Sequence, residues 1–412
     1  MSTTAHGRGS IKKTVSDLAI FGGVPAFETA LHVGRPNIGN REKFLARVDD
    51  ILERRWLTNG GQYVSEFEQR IAEMLDVEHC VAICNATVGL EIAIRALNLK
   101  GEVIIPSFTF IATAHVLQWL KITPVFCDID PKTHCLDPNK LEQLITPQTT
   151  GIIGVHLWGQ ACDIDSLTEI CARRRLKLLF DSAHAFGSSY KGRMIGSFGD
   201  AEVFSFHATK FVNSLEGGAV ATNNAQLAEQ LRLMRNFGFI TYDKTEALGI
   251  NGKMNEISAA MGLTNLESVE EFISLNREHY THYREQLADL EGISVLTFNE
   301  GERSNYQYVV LEIDEQKTGL TRDHLMQILH AENVLARRYF YPGCHNMEPY
   351  KSLYPDADRL LPQTERLATR VLTLPTGQAI NAEMIDVICT IFRTALENGS
   401  EVRNLIEERL PA

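Results

Sequence analysis

Lys210 lies in the apolar stretch Ser205-Phe206-His207-Ala208-Thr209-Lys210-Phe211-Val212, followed closely by Glu216-Gly217-Gly218. Burying an ammonium is costly unless it is paired or deprotonated. A neutral, positioned lysine is the nucleophile that Schiff-base chemistry needs. A lysine pointing to solvent at a turn fits the local pattern equally well. An acidic strand end upstream favours the chemical reading. Asp181 closes the run Lys177-Leu178-Leu179-Phe180, which carries its carboxylate toward a pocket floor. By itself Asp181 also reads as an N-cap or turn residue.

A lysine, a carboxylate and an anion cup are the three requirements of a pyridoxal phosphate site. The lysine carries the cofactor, the carboxylate keeps the ring nitrogen protonated, and the cup takes the phosphate. Ala86-Thr87 begins a predicted helix, where free N–H groups and the helix dipole favour anions. Ser205 adds a hydroxyl. Thr87 alone is an ordinary helix cap, but neither local explanation accounts for the coincidence of all the elements.

The elements that must position these residues alternate from about residue 64 onward. Helices are expected at Val64–Leu75, Thr87–Leu97, Ile111–Leu120, Pro138–Ile145 and Ser166–Arg175. Strands are expected at Cys80–Cys84, Val103–Ile105, Pro124–Ile129, Gly151–His156, Leu176–Phe180, Val203–Phe206 and Ala219–Thr222. Almost wholly apolar strands alternating with helices mean a mostly parallel sheet covered on both faces. Ligands then bind at the carboxyl ends of the strands, which gathers Asn85 to Thr87, Ser107 to Phe110, His156, Asp181 to His184 and Ser205 to Lys210. After Asn224 come helices Ala225–Phe237 and Glu256–Leu290, the second with a break near Leu263–Leu266. A second strand–helix region holds Tyr308–Ile313, Arg322–Glu332 and Ala382–Leu396. The expected division is an N-terminal arm over 1–40, a large α/β domain over 41–265 and a smaller C-terminal α/β domain over 266–412.

Composition narrows the class. The chain has 412 residues, 44% hydrophobic and 22% charged, with a net charge of −12, which fits a folded globular protein. An acidic balance argues against a nucleic-acid binder or a binder of anionic membranes. No apolar run reaches the ~20 residues of a membrane helix, and Met1 to Lys13 lacks the apolar core of a signal peptide. The eight cysteines are scattered without a CxxC pair, so a reduced, cytoplasmic protein without a metal site is expected. There is no GxxxxGK[ST] phosphate loop, no GxGxxG after a strand, no HExxH and no GxSxG.

The segment FDSAHAFGSSYKGRMIGSFGDAEVFSFHATKFVNSLEGGAVATN closely resembles the cofactor core of the DegT/DnrJ/StrS nucleotide-sugar aminotransferases. The likeness extends over nearly the whole chain, through WLTNGGQYVSEFE, CNATVGLEIAIRAL, PSFTFIATAHVLQW, GVHLWGQACDID, GINGKMNEISAAMGL and RRYFYPGCHNMEPY. The resemblance implies an aspartate-aminotransferase-like fold (fold type I), pyridoxal 5′-phosphate, and a homodimer with active sites at the subunit interface. By position, Lys210 matches the cofactor-bearing lysine and Asp181 the partner of the pyridine nitrogen. His184 matches the residue beside the ring, Phe110 the aromatic stacked on it, and Ala86, Thr87 and Ser205 the phosphate contacts. Asn251 falls in a stretch resembling GxNxRM, which reaches the neighbouring subunit's site; here Lys253 replaces the arginine.

The likeness is strongest to enzymes aminating C4 of dTDP-4-keto-6-deoxyglucose, with L-glutamate as donor. Enzymes aminating C3 tend to read SFxPTK…GDGG where this chain reads SFHATK…EGG. A nucleotide-linked keto-sugar brings a pyrophosphate that needs cationic partners. Arg337 and Arg338 are candidates, and His345 a further one, although adjacent arginines are also commonly solvated. Gly249, Asn251 and Gly252 are expected in a loop ordered only against a partner subunit. The rival readings are a 3-keto-sugar aminotransferase of the same family and a pyridoxal-phosphate lyase, which would often carry a mobile-loop cysteine.

Overall fold

The computed structural model describes residues 9–409; the first eight residues of the expected arm and residues 410–412 lie outside it. Strands Glu102–Pro106, Thr123–Cys127, Thr149–Val155, Lys177–Asp181 and Ala201–Ser205 pair in parallel. Gly218–Thr222 runs antiparallel to both of its neighbours, Ala201–Ser205 and His79–Ile83. By first residue, the order across this seven-stranded sheet is 79, 218, 201, 177, 149, 102, 123. The two reversals cancel, so every strand except Gly218–Thr222 points the same way. The residues that follow those strands therefore meet along one edge.

Side chains alternate across a strand, so a run that is apolar at every position must be buried on both faces. Ile104, Leu178 and Phe180 enter one hydrophobic cluster, while Val103, Ile105 and Leu179 enter the other. Helix Gln62–Leu75 covers the first face with Phe67, Ile71 and Leu75. Helices Ala86–Ala96 and Ala112–Trp119 cover the second with Leu90, Ala93, Val116 and Leu117. The start of Ala86–Ala96 is set locally, the Asn85 side chain accepting the Val88 N–H at 2.9 Å, whereas that of Gln62–Leu75 is held from a distance, Glu256 accepting the Tyr63 and Val64 N–H groups at 3.0 Å.

The expected helix over Pro138–Ile145 does not form. Only a single 3-10 turn, Pro138–Lys140, is present, begun by Asp137 capping the Asn139 N–H. Pro147 follows soon after and disfavours helix in the residue before it. One turn flanked in this way cannot offset the cost of helix nucleation. The long helix after residue 255 is broken as expected, into Glu256–Leu266 and Val269–Leu287.

A second core joins a three-stranded antiparallel sheet, in the order Ile293–Val295, Val309–Ile313, Val371–Leu374, to helices Arg322–Ala331 and Ala382–Glu397. A further helix, Gly399–Arg409, had no counterpart in the sequence reading. The described part of the chain before residue 40 packs against this core. Val15, Leu18, Phe27 and Leu31 are buried in this second core, and Leu31–His32 pairs in parallel with Val334–Leu335. No helix among the described residues is long and apolar enough to cross a membrane.

Candidate active site

Asp181 ends its strand with its carboxylate buried, and each of its oxygens has a partner. Thr113 Oγ1 donates to Oδ2 at 2.8 Å, and the Ala183 N–H donates to Oδ1 at 3.2 Å. Burial pushes the Asp181 pKa up; these two bonds, Lys210 and His156 pull it down. Lys210 sits in the irregular segment after strand Ala201–Ser205, partly exposed, with its N–H bonded to the His207 carbonyl at 2.8 Å. Among the described residues no carboxylate lies within ion-pairing distance of its ammonium. Burial lowers its pKa to about 8, with the Asp181 charge opposing the shift. The sheet thus brings together a carboxylate that lacks a cation and an amine that is easily neutralised.

The other strand-end residues surround this pair. Ala86 and Thr87 occupy the first two helical positions, where no carbonyl of the helix can accept their N–H groups. Gly218 presses against this turn: a Cβ there would stand 2.7 Å from the Ala86 nitrogen. The Ser205 hydroxyl accepts the His207 N–H at 3.4 Å. Phe110 leads into helix Ala112–Trp119 and is 58% exposed, unlike Phe108, which is 1% exposed among Trp158, His134 and Phe340. An exposed aromatic beside the buried carboxylate, together with a free helix start, fits a planar phosphorylated ring.

His184 is buried against Trp158, Tyr308 and Phe340. The Trp158 N–H donates to Nδ1 at 3.4 Å, which leaves the proton on Nε2, 3.2 Å from Tyr308 Oη. Burial, with the Lys210 charge adding to it, holds its pKa well below the usual imidazole value. It is a neutral ring. His156, grouped with the site by sequence, is fully buried, stacked on Phe180, with Nε2 3.5 Å from Glu202 Oε2. It belongs to the floor beneath Asp181.

Three sequence-derived candidates stand differently from their expectations. Arg338 is committed to Asp323 at 3.0 Å and lies over the Tyr341 ring, whereas Arg337 is exposed and pairs by its backbone with Thr373. Arg337 lies over the Tyr339 ring with no carboxylate among the described residues in ion-pairing distance, so it is the freer of the two cations. His345 is 2% exposed, with Nδ1 2.7 Å from Ser107 Oγ and Nε2 2.7 Å from Glu365. With both ring nitrogens taken, it offers no donor to a substrate and ties residues 107 and 365 together. The loop around Asn251 is held within the chain: the Gly252 carbonyl accepts the Cys84 N–H, and the Gly252 N–H donates to Arg235. The expectation that it needs a partner for order is corrected, while the Asn251 side chain stays exposed.

Thr113 and Tyr308 were missed by sequence reasoning. Thr113 follows Phe110 by three residues, one helical turn on, so the spacing was available as a signal. Tyr308 had none, because its partner is 124 residues away.

A lysine without a contacting counter-ion and a buried carboxylate, at the carboxyl edge of this sheet, fit the site of a pyridoxal-phosphate enzyme of fold type I. A model of the DegT/DnrJ/EryC1/StrS aminotransferase family matches residues 39–393, and the chain belongs to that family. It is 35% identical over 366 residues to the dTDP-4-amino-4,6-dideoxy-D-glucose transaminase of Shigella dysenteriae, covering 89% of this chain and 99% of that protein. It is 34% identical over 365 residues to the GDP-perosamine synthase of Caulobacter vibrioides, covering 86% of this chain and 95% of that one. Among solved structures it is similar to DesI in the presence of its TDP-sugar product, with 49% identity and a TM-score of 0.91. That match covers 95% of this chain and 99% of the other.

Proposed function

We propose that this aminotransferase moves the amino group of L-glutamate to C4 of a nucleotide-linked keto-deoxysugar, as a cytoplasmic homodimer. The substrate we favour is dTDP-4-keto-6-deoxyglucose, giving dTDP-4-amino-4,6-dideoxyglucose. The observation that carries this reading is the 49% identity, over 95% of the chain, to DesI with its TDP-sugar product. The likeness to a GDP-perosamine synthase makes a GDP-linked keto-sugar the second substrate to try.

Pyridoxal phosphate, when bound, supplies an electron sink for a carbanion. The chain supplies the rest. Asp181 would accept the ring N–H and keep that nitrogen protonated, with Thr113 fixing the carboxylate's orientation. Ala86 and Thr87 N–H groups and the Ser205 hydroxyl would hold the phosphate, with Phe110 to cover one ring face and His184 to flank the ring as a neutral group. Lys210 Nζ would hold the cofactor and serve as the base that moves the proton at the substrate carbon. A pKa near 8 leaves a useful fraction of it unprotonated at neutral pH. Arg337 is the cation left for the pyrophosphate. Asn251, set among the exposed Phe237, Phe239, Leu248 and Ile250, would reach the partner's site.

The test is a panel of dTDP- and GDP-linked 3-keto and 4-keto sugars with L-glutamate, each product assigned by NMR. Amination at C4 of the dTDP sugar is expected, and exclusive C3 products would overturn the regiochemistry. Assembly is tested by mixing Lys210→Ala with Asn251→Ala subunits. Regained activity is expected; demonstrable heterodimers without activity would confine Asn251 to its own subunit.

A further inference from the structure

The segment from Phe206 to Gly217 that carries Lys210 contains neither helix nor strand, so its backbone must be fixed by other means. Phe211, next to the lysine, has both main-chain groups held by side-chain amides from distant parts of the chain. Its carbonyl accepts from Asn37 Nδ2 at 3.1 Å, and its N–H donates to Gln307 Oε1 at 3.4 Å. The same Asn37 accepts the Gln378 N–H on Oδ1 at 3.0 Å, and its own carbonyl accepts from Asn213 Nδ2 at 2.8 Å. Asn265 completes the set, donating to the Asn213 carbonyl and accepting the Gly39 N–H, both at 2.8 Å. Asn37, Asn213 and Asn265 are 3%, 1% and 0% exposed.

We propose that Asn37 is a positioning residue for Lys210: its amide fixes the backbone of Phe211, the residue next to the lysine, and ties it to the chain around residues 377–378. Both ends of the amide are used, one as donor and one as acceptor, which no shorter side chain could span. The space is matched to it, since a Cβ on Gly377 would stand 2.8 Å from Asn37 Oδ1. An amide also does this without net charge. A carboxylate in its place would stabilise the charged form of a nearby amine, and the base has to be neutral to act. A lysine on a long, flexible stem gains most from such a fixed root, because a misplacement of about 1 Å in a reacting group can cost about a hundredfold in rate.

The inference rests on the reading of Lys210 as the reactive amine and not on the identity of the sugar. The test compares Asn37→Ala and Asn37→Asp with the unmodified holoenzyme, well below each protein's melting temperature and at saturating pyridoxal phosphate. Both variants should lower kcat for half-transamination by L-glutamate about ten- to a hundredfold with KM little changed. Both should also weaken the visible circular dichroism of the bound cofactor. In cofactor-free protein, Asn37→Asp should raise the pH midpoint for modification of Lys210 by an amine reagent, and Asn37→Ala should not. A lowered melting temperature with unchanged kcat, dichroism and midpoint would reduce Asn37 to a structural role. If neither variant folds, Gly377→Ala, which crowds Oδ1 and leaves the amide in place, should give the same loss of dichroism, and its absence overturns the proposal. An unmodified protein that binds no pyridoxal phosphate would overturn the role of Lys210 instead.

Discussion

Two lysines of this chain stand in opposite surroundings. Lys12 is 2% exposed and paired at 3.2 Å with Glu332, itself fully buried. The Asp17 carbonyl at 2.8 Å and the Val24 carbonyl also accept from it. Glu332 in turn accepts the Ala19 and Ala26 N–H groups, both at 2.7 Å, so the chain before residue 27 is pinned to the second core. Lys210 has no such counter-ion in contact, and its pKa falls to about 8. A contacting carboxylate is what separates the two: on Lys210 desolvation acts with no opposing charge at short range.

The sharpest way to break this comparison is to remove each amine. Lys210→Ala should abolish transamination while circular dichroism and the melting temperature stay near those of the unmodified protein. Near-normal turnover in that variant would remove Lys210 from the chemistry. Asp181→Asn should keep the cofactor bound and lose about two to four orders of magnitude in kcat, since a neutral amide cannot hold a ring nitrogen protonated. Activity within a factor of a few would show that the carboxylate is dispensable. Lys12→Met should act on stability instead, because it strands Glu332 in a buried site. A loss of about 3–5 kcal/mol is expected in urea unfolding, with turnover per folded molecule unchanged. Equal stability would mean that water or a local shift compensates the carboxylate.

Titration gives the smallest effect. In cofactor-free protein, modification of Lys210 by an amine reagent should be half-maximal near pH 8, and Lys12 should resist it. The sign for stability follows from the same shift. The folded-state value lies below the unfolded 10.5, so the unfolded chain binds more protons between about pH 8 and 10.5. The contribution of Lys210 therefore disfavours folding below pH 8 and is relieved as pH rises through that window. A midpoint for Lys210 near the unfolded 10.5 would show that desolvation does not act on it.

Much of the sheet could be read from the sequence. A run such as Lys177-Leu178-Leu179-Phe180-Asp181 is short, apolar on both faces and closed by a charge, so its burial and its end are local properties. The same locality exposed Lys210, Asp181 and the free helix start at Ala86. Spacing failed at Pro138–Ile145, where a helical pattern too short to nucleate stopped after one turn.

Long-range pairing decided the rest. The Thr113 bond to Asp181 joins residues 68 apart, and the Ser107 bond to His345 joins residues 238 apart. His345 was a candidate donor because a loop histidine can be free; folding enclosed it between Ser107 and Glu365. Arg337 and Arg338 look alike in sequence, yet folding paired one with Asp323 and set the other over the Tyr339 ring. The sequence by itself determined which side chains could do chemistry and on which strand ends they stand, since hydrophobic period and residue type act over a few neighbours. Only the tertiary structure decided which of them have partners, because desolvation and hydrogen bonding depend on groups that meet in space after the chain has closed on itself.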